Sequence, residues 1–512
     1  MDNNQTLMKK SFLTIFALFS AIWIYANNVQ ITNVSFKPNT NTIKFDISWE
    51  NSWRSDVLNN WDAAYVFIKY FDPGTGTWLH VPFTNTNNVI PYGFSVSVDP
   101  GVGRFLYRTV SGSGTSQLTN VELGIQSRFA SGIYDIKLFA LEMVYIPVID
   151  FYLGDHASYN SYRSSYENQA PDLMFKNDES YVFDPLSEEY VAIANTASFY
   201  VMKYELSQGG YRDFLNSLTY TQQVNHTASP PTSPPGTFAL APATGNYRNY
   251  IKIKTPAQLI NGAYTPAVYG CNADGNNVYD ELTDGENIAC NFVNWIDHSA
   301  FLVWSGLFPL NEIQFEKAAR GIQYPVNNEF AWGNAEIGDD EYFVFDAALN
   351  TEYVNNPQSN PKGNAIYEAT VNSNNNLDGP VRNGIFATAS SDRIKSGGSF
   401  FGVMELSGNL RERVITTANV QGRNFIQYNI INFNEGSPNL NPLGFAYGFG
   451  WSGSNLPLEG IIDGSIPALG LMYRGGSWND ESFFLSISDR SVPLINDTNI
   501  NRDPYTCLRG CR

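Results

Sequence analysis

The chain has 512 residues, with 31 lysines and arginines against 49 aspartates and glutamates, a net charge of −18. That balance excludes a broad cationic footprint of the kind nucleic acid requires, and only 16% of residues are charged, below the roughly 25% usual for soluble chains. Apolar residues make up 43%, enough to bury a sizeable core and to exclude disorder, while four cysteines and four histidines leave thiol and imidazole chemistry few positions.

Aromatic residues reach 14%, and glycine and asparagine are abundant, a mix expected of a β-rich or loop-rich extracellular protein. Lys9 and Lys10 precede the mainly apolar run Phe12–Ile24 and then Tyr25-Ala26-Asn27, the order of a secretory signal peptide over residues 1–26, with Met8 as an alternative start. The run falls short of the roughly 20 residues of a transmembrane helix. No later stretch is long and apolar enough to span, so the mature chain is expected to be secreted, periplasmic or at the cell surface, with no integral membrane span and with disulfides permitted.

From residue 27 to 141 the hydrophobic pattern alternates. Ile43, Phe45, Ile47 and Trp49 share one face of a strand, and Phe94, Val96 and Val98, then Tyr134, Ile136 and Leu138, repeat the pattern. Asp72-Pro73-Gly74-Thr75-Gly76 and Ser111-Gly112-Ser113-Gly114 are turns between runs, so a β-sandwich accessory domain is predicted, with no constellation of acids, histidines or cysteines in it. From residue 142 to 512, strands and loops mix with a few amphipathic helices, giving an α+β class overall. Ser207 is placed to cap a helix burying Tyr211, Phe214, Leu215 and Leu218, and Asn311 with Gln314 forms a capping box for a helix burying Phe315, Ala318 and Ala319. Pro230-Pro231-Thr232-Ser233-Pro234-Pro235-Gly236 reads as an exposed insert near 228–236. After Trp332 the chain is loop-rich, including Asn374-Asn375-Asn376, and such a region normally needs cross-links or metals to order it.

Six blocks then stand in a familiar order. They are Met143-Val144-Tyr145-Ile146-Pro147 with Gly154-Asp155, the run Phe199 to Ser207, the run Asn311 to Gly321, Ala331-Trp332-Gly333-Asn334, the run Met404 to Glu412, and Arg474-Gly475-Gly476-Ser477-Trp478. Together they resemble the formylglycine-generating-enzyme, or sulfatase-modifying-factor, domain family. The resemblance implies an enlarged C-type-lectin-like fold with little regular secondary structure over residues 142–512, and leaves the N-terminal strands outside it. Enzymes of the family oxidise a substrate cysteine with two copper-binding thiols shortly after the Gly-Gly-Ser-aromatic block, and soft thiolates are what Cu(I) requires. Aligned from Trp478, the thiol positions hold Leu485 and Arg490; aligned back from Arg490-Ser491, they hold Ser482 and Ile487. No cysteine lies between Cys290 and Cys507, so no catalytic residue is assigned. A second branch of the superfamily uses a histidine-bound iron, and His80, His156, His226 and His298 are isolated from one another in the sequence. Neither a copper nor an iron site is recognised.

The resemblance also carries a calcium site, which maps onto Glu405, Gly408, Leu410 and Glu412. Oxygen ligands suit Ca²⁺, and Gly408 permits the tight turn. The sequence departs from the family at Glu405, where Asn or Asp is usual, and at Arg411 and Arg413, where Trp is usual. Structural calcium and a turn salt-bridged through an arginine on Glu412 are both consistent with these residues. The stretch Asn272 to Glu281 is rich in oxygen ligands but lacks the glycine and closing glutamate of an EF-hand, and reads as a solvated turn. Cys271 and Cys290 bracket it, and a disulfide between them is expected; Cys507 and Cys511 either pair locally or are core thiols. Trp451, Tyr473, Trp478 and Arg490 fall in blocks that form the ligand-facing end of related lectin-like folds, with Trp478 as a core residue the competing reading. The function expected is that of an exported, non-catalytic member acting on a glycan, peptide or surface-protein ligand, or in cell-surface or secretion-associated assembly. Related domains without the thiols occur in gliding-motility and type IX secretion components. The competing reading is an oxidoreductase of the same superfamily, of the cysteine-to-formylglycine type or with altered chemistry.

Overall fold

The computed structural model describes residues 29–98, 101–126, 135–155, 157–162, 174–175, 181–192, 197–368, 378–388, 390–431, 439–448, 451, 453, 460–491 and 501–512. The expected signal peptide, Tyr134 and Asn374-Asn375-Asn376 lie outside these residues. Short strands dominate and helices are few, an α+β architecture. Among the described residues no helix is long and apolar enough to cross a membrane.

Eight strands come first: β1 (Gln30–Lys37), β2 (Thr42–Ser55), β3 (Asn60–Asp72), β4 (Thr77–His80), β5 (Phe94–Val96), β6 (Gly103–Arg108), β7 (Gly112–Gly124) and β8 (Ile136–Ile146). β2 runs antiparallel between β1 and β7, with Ile47 opposite Ile31 and Phe45 opposite Val121. Its alternating Ile43, Phe45, Ile47 and Trp49 are all buried, and they pack with Ala64, Val66 and Ile68 of β3 and with Leu138 and Ala140 of β8. β3 behaves differently. Ala63 to Ile68 is an unbroken apolar run, the signature of a strand covered on both faces. Ala63, Tyr65 and Phe67 point away from β2 into a second core, where Phe67 meets Trp304 edge-on with centroids 4.9 Å apart.

The boundary expected between Leu141 and Glu142 falls inside β8. β8 pairs with β3 through Asp62↔Val144 and continues onto the strand Phe199–Met202, which pairs through Val201 with Cys511; Cys511 in turn pairs with Phe308. One sheet of eleven strands therefore runs from the N-terminal strands into the following body, and no linker separates the two. The join is also ionic. Lys203, just beyond the strand Phe199–Met202, donates to Asp62 of β3 (3.2 Å), Glu142 of β8 (3.0 Å) and the Asn51 carbonyl (3.0 Å), with all three charged side chains buried. Asp62 accepts further bonds from Ser52, Trp49 and the Trp53 amide.

Two helices form where the sequence placed them, after Ser207 and Asn311, and the structure adds others. Ser207 caps α1 (Gln208–Leu215), and α2 (Tyr220–His226), α3 (Trp295–Ser305) and α4 (Glu312–Arg320) open on capping boxes at Thr219, Asn294 and Asn311. α3 is buried along its whole length, Asp297, His298, Ser299 and Ser305 included, and a helix covered on every side carries no amphipathic signal. The Pro-rich stretch 230–236 is turns and bends. The Asn272–Glu281 segment is an exposed turn held by Asp274, which accepts from the Asn276 amide and from Thr283. A three-stranded sheet, with Arg411–Ile415 central between Leu471–Arg474 and Thr506–Cys507, completes the body.

One guanidine-free cation against two carboxyls sets the chemistry of the join: burial, with Lys203 opposing and Asp62 reinforcing, pushes the Glu142 carboxyl up to about 8. The folded state therefore favours the proton, and the contribution of Glu142 to stability is full below pH 4.5 and is lost as the pH rises through about 8. Glu142→Gln is expected to flatten the pH dependence of the melting temperature across that window at little cost. Asp62→Asn, which removes the counter-charge Lys203 retains, is expected to cost about 3 kcal/mol or more in urea unfolding.

Candidate functional site

α4 presents Glu312, Glu316 and Arg320 at four-residue spacing on one side, and all three are fully buried. Glu312 accepts from Arg490 Nε (2.9 Å), Arg474 Nη1 (3.1 Å), the Thr417 amide (2.7 Å) and the Thr416 hydroxyl (2.8 Å). Glu316 accepts from Arg474 Nη2 (2.7 Å), Arg320 Nη1 (3.1 Å) and the Gly154 amide (2.7 Å). Arg490 also forks onto Asp184, at 2.8 and 3.0 Å. Burial works to raise the Glu316 carboxyl, but Arg474 and Arg320 outweigh it and hold it below its ordinary value. Arg490 is thus spent inside the protein, and its assignment as a ligand contact is corrected: its neighbours are carboxylates, and Tyr162 covers its guanidinium at 4.2 Å.

The thiol positions of the two alignments are occupied as follows. Leu485 is fully buried in a cluster with Phe330, Trp332 and Tyr367, Ile487 lies in another apolar cluster, and Ser482 opens the single turn Ser482–Leu485. All four cysteines are buried and free. The expected Cys271–Cys290 disulfide is therefore absent, and a different device closes the loop between them: Arg212 of α1 pairs with Asp280 (2.8 Å) and Glu286, while Asp280 also accepts from the Cys271 amide. Burial pushes all four thiols up, Cys511 to about 12, so thiolate is disfavoured. His80 and His298 are in the core, where burial depresses their basicity, and His226 Nδ1 lies 3.0 Å from Asp297.

The loop Glu405–Glu412 turns through three left-handed residues, Glu405 (φ 53°), Gly408 (φ 89°) and Asn409 (φ 64°). That conformation favours Asn or Asp over Glu, which accounts for Glu405 being the unusual residue of the block. Glu205, from the end of the strand Phe199–Met202, caps the loop by accepting from the Leu410 amide (2.8 Å) and the Asn409 side chain. Arg509 brings its guanidinium to the loop, bonding Glu412 Oε1 (2.9 Å) and the carbonyls of Met202 (2.7 Å) and Met404 (2.8 Å). An arginine therefore does pair with Glu412, though it comes from the far end of the chain rather than from Arg411 or Arg413.

Three carboxyls crowd around that charge, with Arg382 a weaker second cation for Glu405. Burial, then mutual repulsion, raises Glu205 well above the carboxylate range, and burial raises Glu405 and Glu412 to about 7 against the pull of Arg509. Glu405 spends Oε1 on the Gly384 amide (2.6 Å), and Oε2 of both Glu405 and Glu412 is buried with no partner. Two orphaned carboxylate oxygens on the predicted ligand pair are the donor chemistry a hard cation takes. Among the described residues no group of three or more His, Cys, Asp or Glu side chains converges as a ligand set. A metal here would need the Gly408 and Leu410 carbonyls to complete it.

Of the four residues assigned to a ligand face, the structure joins two. Tyr473 sits opposite Arg413 in the sheet, with Arg411 and Arg413 on the same strand face at 4.7 and 5.6 Å from its ring centroid. Tyr505 covers Arg411 from another side at 5.4 Å, and Trp478 stacks obliquely between Tyr505 and Tyr247, each 5.5 Å away. Trp478 is buried with its indole N–H on the Pro504 carbonyl (3.0 Å), so it is a wall of this cluster rather than an open platform. Trp451 belongs elsewhere: it is buried against Trp295 and Phe425 in the main core, a correction to its assignment. Arg411, Tyr505 and Tyr247 were not singled out as binding residues, although Arg411 already stood out as replacing the family's Trp. Half-buried, Arg411 pairs with no carboxylate among the described residues, and its Nε is buried without a partner.

A family model described as sulfatase-modifying factor enzyme 1-like domain matches residues 177–493 of the chain. No curated protein matches it.

The two arginine environments separate in energy. Glu312→Gln leaves Arg490 and Arg474 under-compensated in a dry interior and is expected to cost about 3–5 kcal/mol in urea unfolding. Arg411→Ala, which loses only ring contacts, is expected to cost about 1 kcal/mol.

Proposed function

The chain belongs to the sulfatase-modifying factor enzyme 1-like family, and from that premise we propose that it is a non-catalytic member, exported to the cell surface or periplasm, that binds a ligand or builds a surface or secretion-associated assembly. The observation that carries this reading is the fate of the thiol positions. Leu485 and Ile487 are sealed in apolar clusters, Arg490 is locked onto Glu312 and Asp184, and the cysteines the chain does have are buried and protonated. Cu(I) has no soft donor to bind in that block. The half-buried face of Arg411, Tyr473 and Tyr505 offers a cation beside aromatic rings, and is the part we assign to a glycan, peptide or surface-protein ligand. The N-terminal strands, which we read as a β-sandwich, serve as an accessory layer fixed to this body through β8.

Incubation of the full chain with Cu(I) and a peptide bearing the sulfatase cysteine motif tests the reading. No aldehyde is expected, and reproducible binding on a glycan or surface-protein array is expected to weaken in Tyr473→Ala. Aldehyde formation would establish the oxidoreductase alternative, and an array with no reproducible binding would remove the ligand and leave the assembly role.

We further propose a structural calcium held by Glu405 and Glu412 with the carbonyls of Gly408 and Leu410; bound there, it would supply the positive charge that Glu205, Glu405 and Glu412 lack and fix the loop. At a hundredfold excess over its Kd such an ion stabilises by about 2.7 kcal/mol. Chelation is expected to lower the melting temperature, calcium to restore it, and Glu412→Gln to abolish the response. A melting temperature indifferent to both chelator and calcium would remove the ion and leave Arg509 as the counter-charge on Glu412.

A further inference from the structure

Two arginines leave the same face of the strand Arg411–Ile415, and the fold uses them differently. Arg413 is buried and spent: it donates to the Val293 carbonyl at 2.7 Å and lies 3.7 Å from Asp503. Arg411 is half-buried, and among the described residues its side chain makes no hydrogen bond and no ion pair. Of its three nitrogens only Nε is sealed from solvent, so Nη1 and Nη2 reach the surface unpartnered. The acids that bear on neighbouring Tyr505 have bonds of their own. Asp503 accepts from the Tyr505 amide (2.9 Å) and the Thr506 hydroxyl (2.8 Å), and Asp480 accepts from the Ser477 amide (2.8 Å).

The free guanidinium is also held in place. Tyr473 and Tyr505 carry it at 4.7 and 5.4 Å from their ring centroids, and the Arg411 amide donates to the Tyr505 carbonyl at 3.0 Å. Buried Trp478 backs Tyr505 in turn, with centroids 5.5 Å apart. An aromatic ring takes the flat face of a guanidinium, whose N–H donors lie in its plane. The packing therefore orients the Nη pair without consuming it. Fixing such a side chain on binding costs about 0.5–1.5 kcal/mol, and here folding has already fixed it.

These groups select the chemistry of a guest. Two parallel N–H donors at the end of a guanidinium match the two oxygens of one carboxylate. Half-buried Tyr247, Tyr473 and Tyr505 add phenol hydroxyls that are neither bonded nor sealed among the described residues. The core of a protein interface needs exposed apolar side chains. None of the large exposed ones stands on Arg411–Ile415 or on the strands that flank it, Leu471–Arg474 and Thr506–Cys507. A dense polyanion is opposed by the net charge of −18, and a single carboxylate far less so. A ring bearing one carboxylate beside several hydroxyls meets all of these terms. On the premise that this face is the ligand site, we propose that it takes a uronic-acid sugar, with the carboxylate on the Nη pair of Arg411 and the hydroxyls among the surrounding phenols.

Calorimetry and saturation-transfer NMR on the full chain test this with the methyl glycosides of glucuronic and galacturonic acid. The comparison ligands are the uncharged methyl glucoside and galactoside, glucose 6-sulfate and a blocked aspartyl peptide. At least one uronide is expected to bind saturably, at least tenfold more tightly than its uncharged counterpart, and more weakly as salt rises. Arg411→Gln is expected to remove that tenfold preference, and Arg411→Lys, which keeps the charge without the fork, to retain only part of it. The ratio to the uncharged glycoside reads the carboxylate contact itself, because unfolding would abolish both. No binding by either uronide, equal binding of the uncharged glycosides, preference for the sulfate or the peptide, or an unchanged ratio in Arg411→Gln would each overturn the proposal. A neutral or peptide ligand lost in Tyr473→Ala would do so while leaving the face a ligand site, whereas a silent array would remove the site as well.

Discussion

Glu312 is the residue on which the second body depends. Its two carboxylate oxygens gather two arginines from the chain's late segments, two threonines that follow the central strand of the small sheet, and, through Arg490, Asp184 from an early hairpin. Segments more than a hundred residues apart meet there, with their charged side chains buried. In such an interior each charge is tolerable only because the others are in place, so the network acts as a lock with all-or-none character. It also explains how a body with so few long helices and strands holds one arrangement: the order comes from buried ionic cross-links, where a disulfide framework would serve in other loop-rich proteins.

The second constraint is the sheet that the two parts of the chain share. β3 and β8 are apolar on both faces, so neither the N-terminal strands nor the body that follows has a complete core alone. A module attached by a flexible linker would swing independently of its neighbour. Here the pairing of β8 with Phe199–Met202 and the burial of Lys203 between Asp62 and Glu142 hold the two at a fixed angle. A ligand bound on one part is thus presented in a defined orientation to whatever the other part touches.

Much of this was legible in the residues, and the rest was hidden for physical reasons. Alternation in β2 and the capping signals at Ser207 and Asn311 are local, and local signals survive folding. The boundary at 141 was misleading because β8 opens with the alternation of Ile136 and Leu138 and then runs apolar from Leu138 to Leu141, so nothing announces that it belongs to two layers. The family blocks located Glu312, Glu316, Arg474 and Arg490 but not their meeting, since nothing in spacing shows that carboxylates of one helix will be matched by arginines over a hundred and fifty residues away. The disulfide expectation rested on compartment and loop length, and neither reveals that Arg212 would close the same loop.

Arg509 and the strand Gly510–Cys511 have a consequence in time as well as space. Cys511 slots between Phe199–Met202 and Phe308–Pro309, and Arg509 is the counter-charge for a pocket built from Glu205 and Glu412. A ribosome delivers the first of these partners some three hundred residues before the last. Until Arg509 and Cys511 are in place, Phe199–Met202 and Phe308–Pro309 have no strand between them and Glu412 has no guanidinium on it, so the body closes only once segments some three hundred residues apart have met.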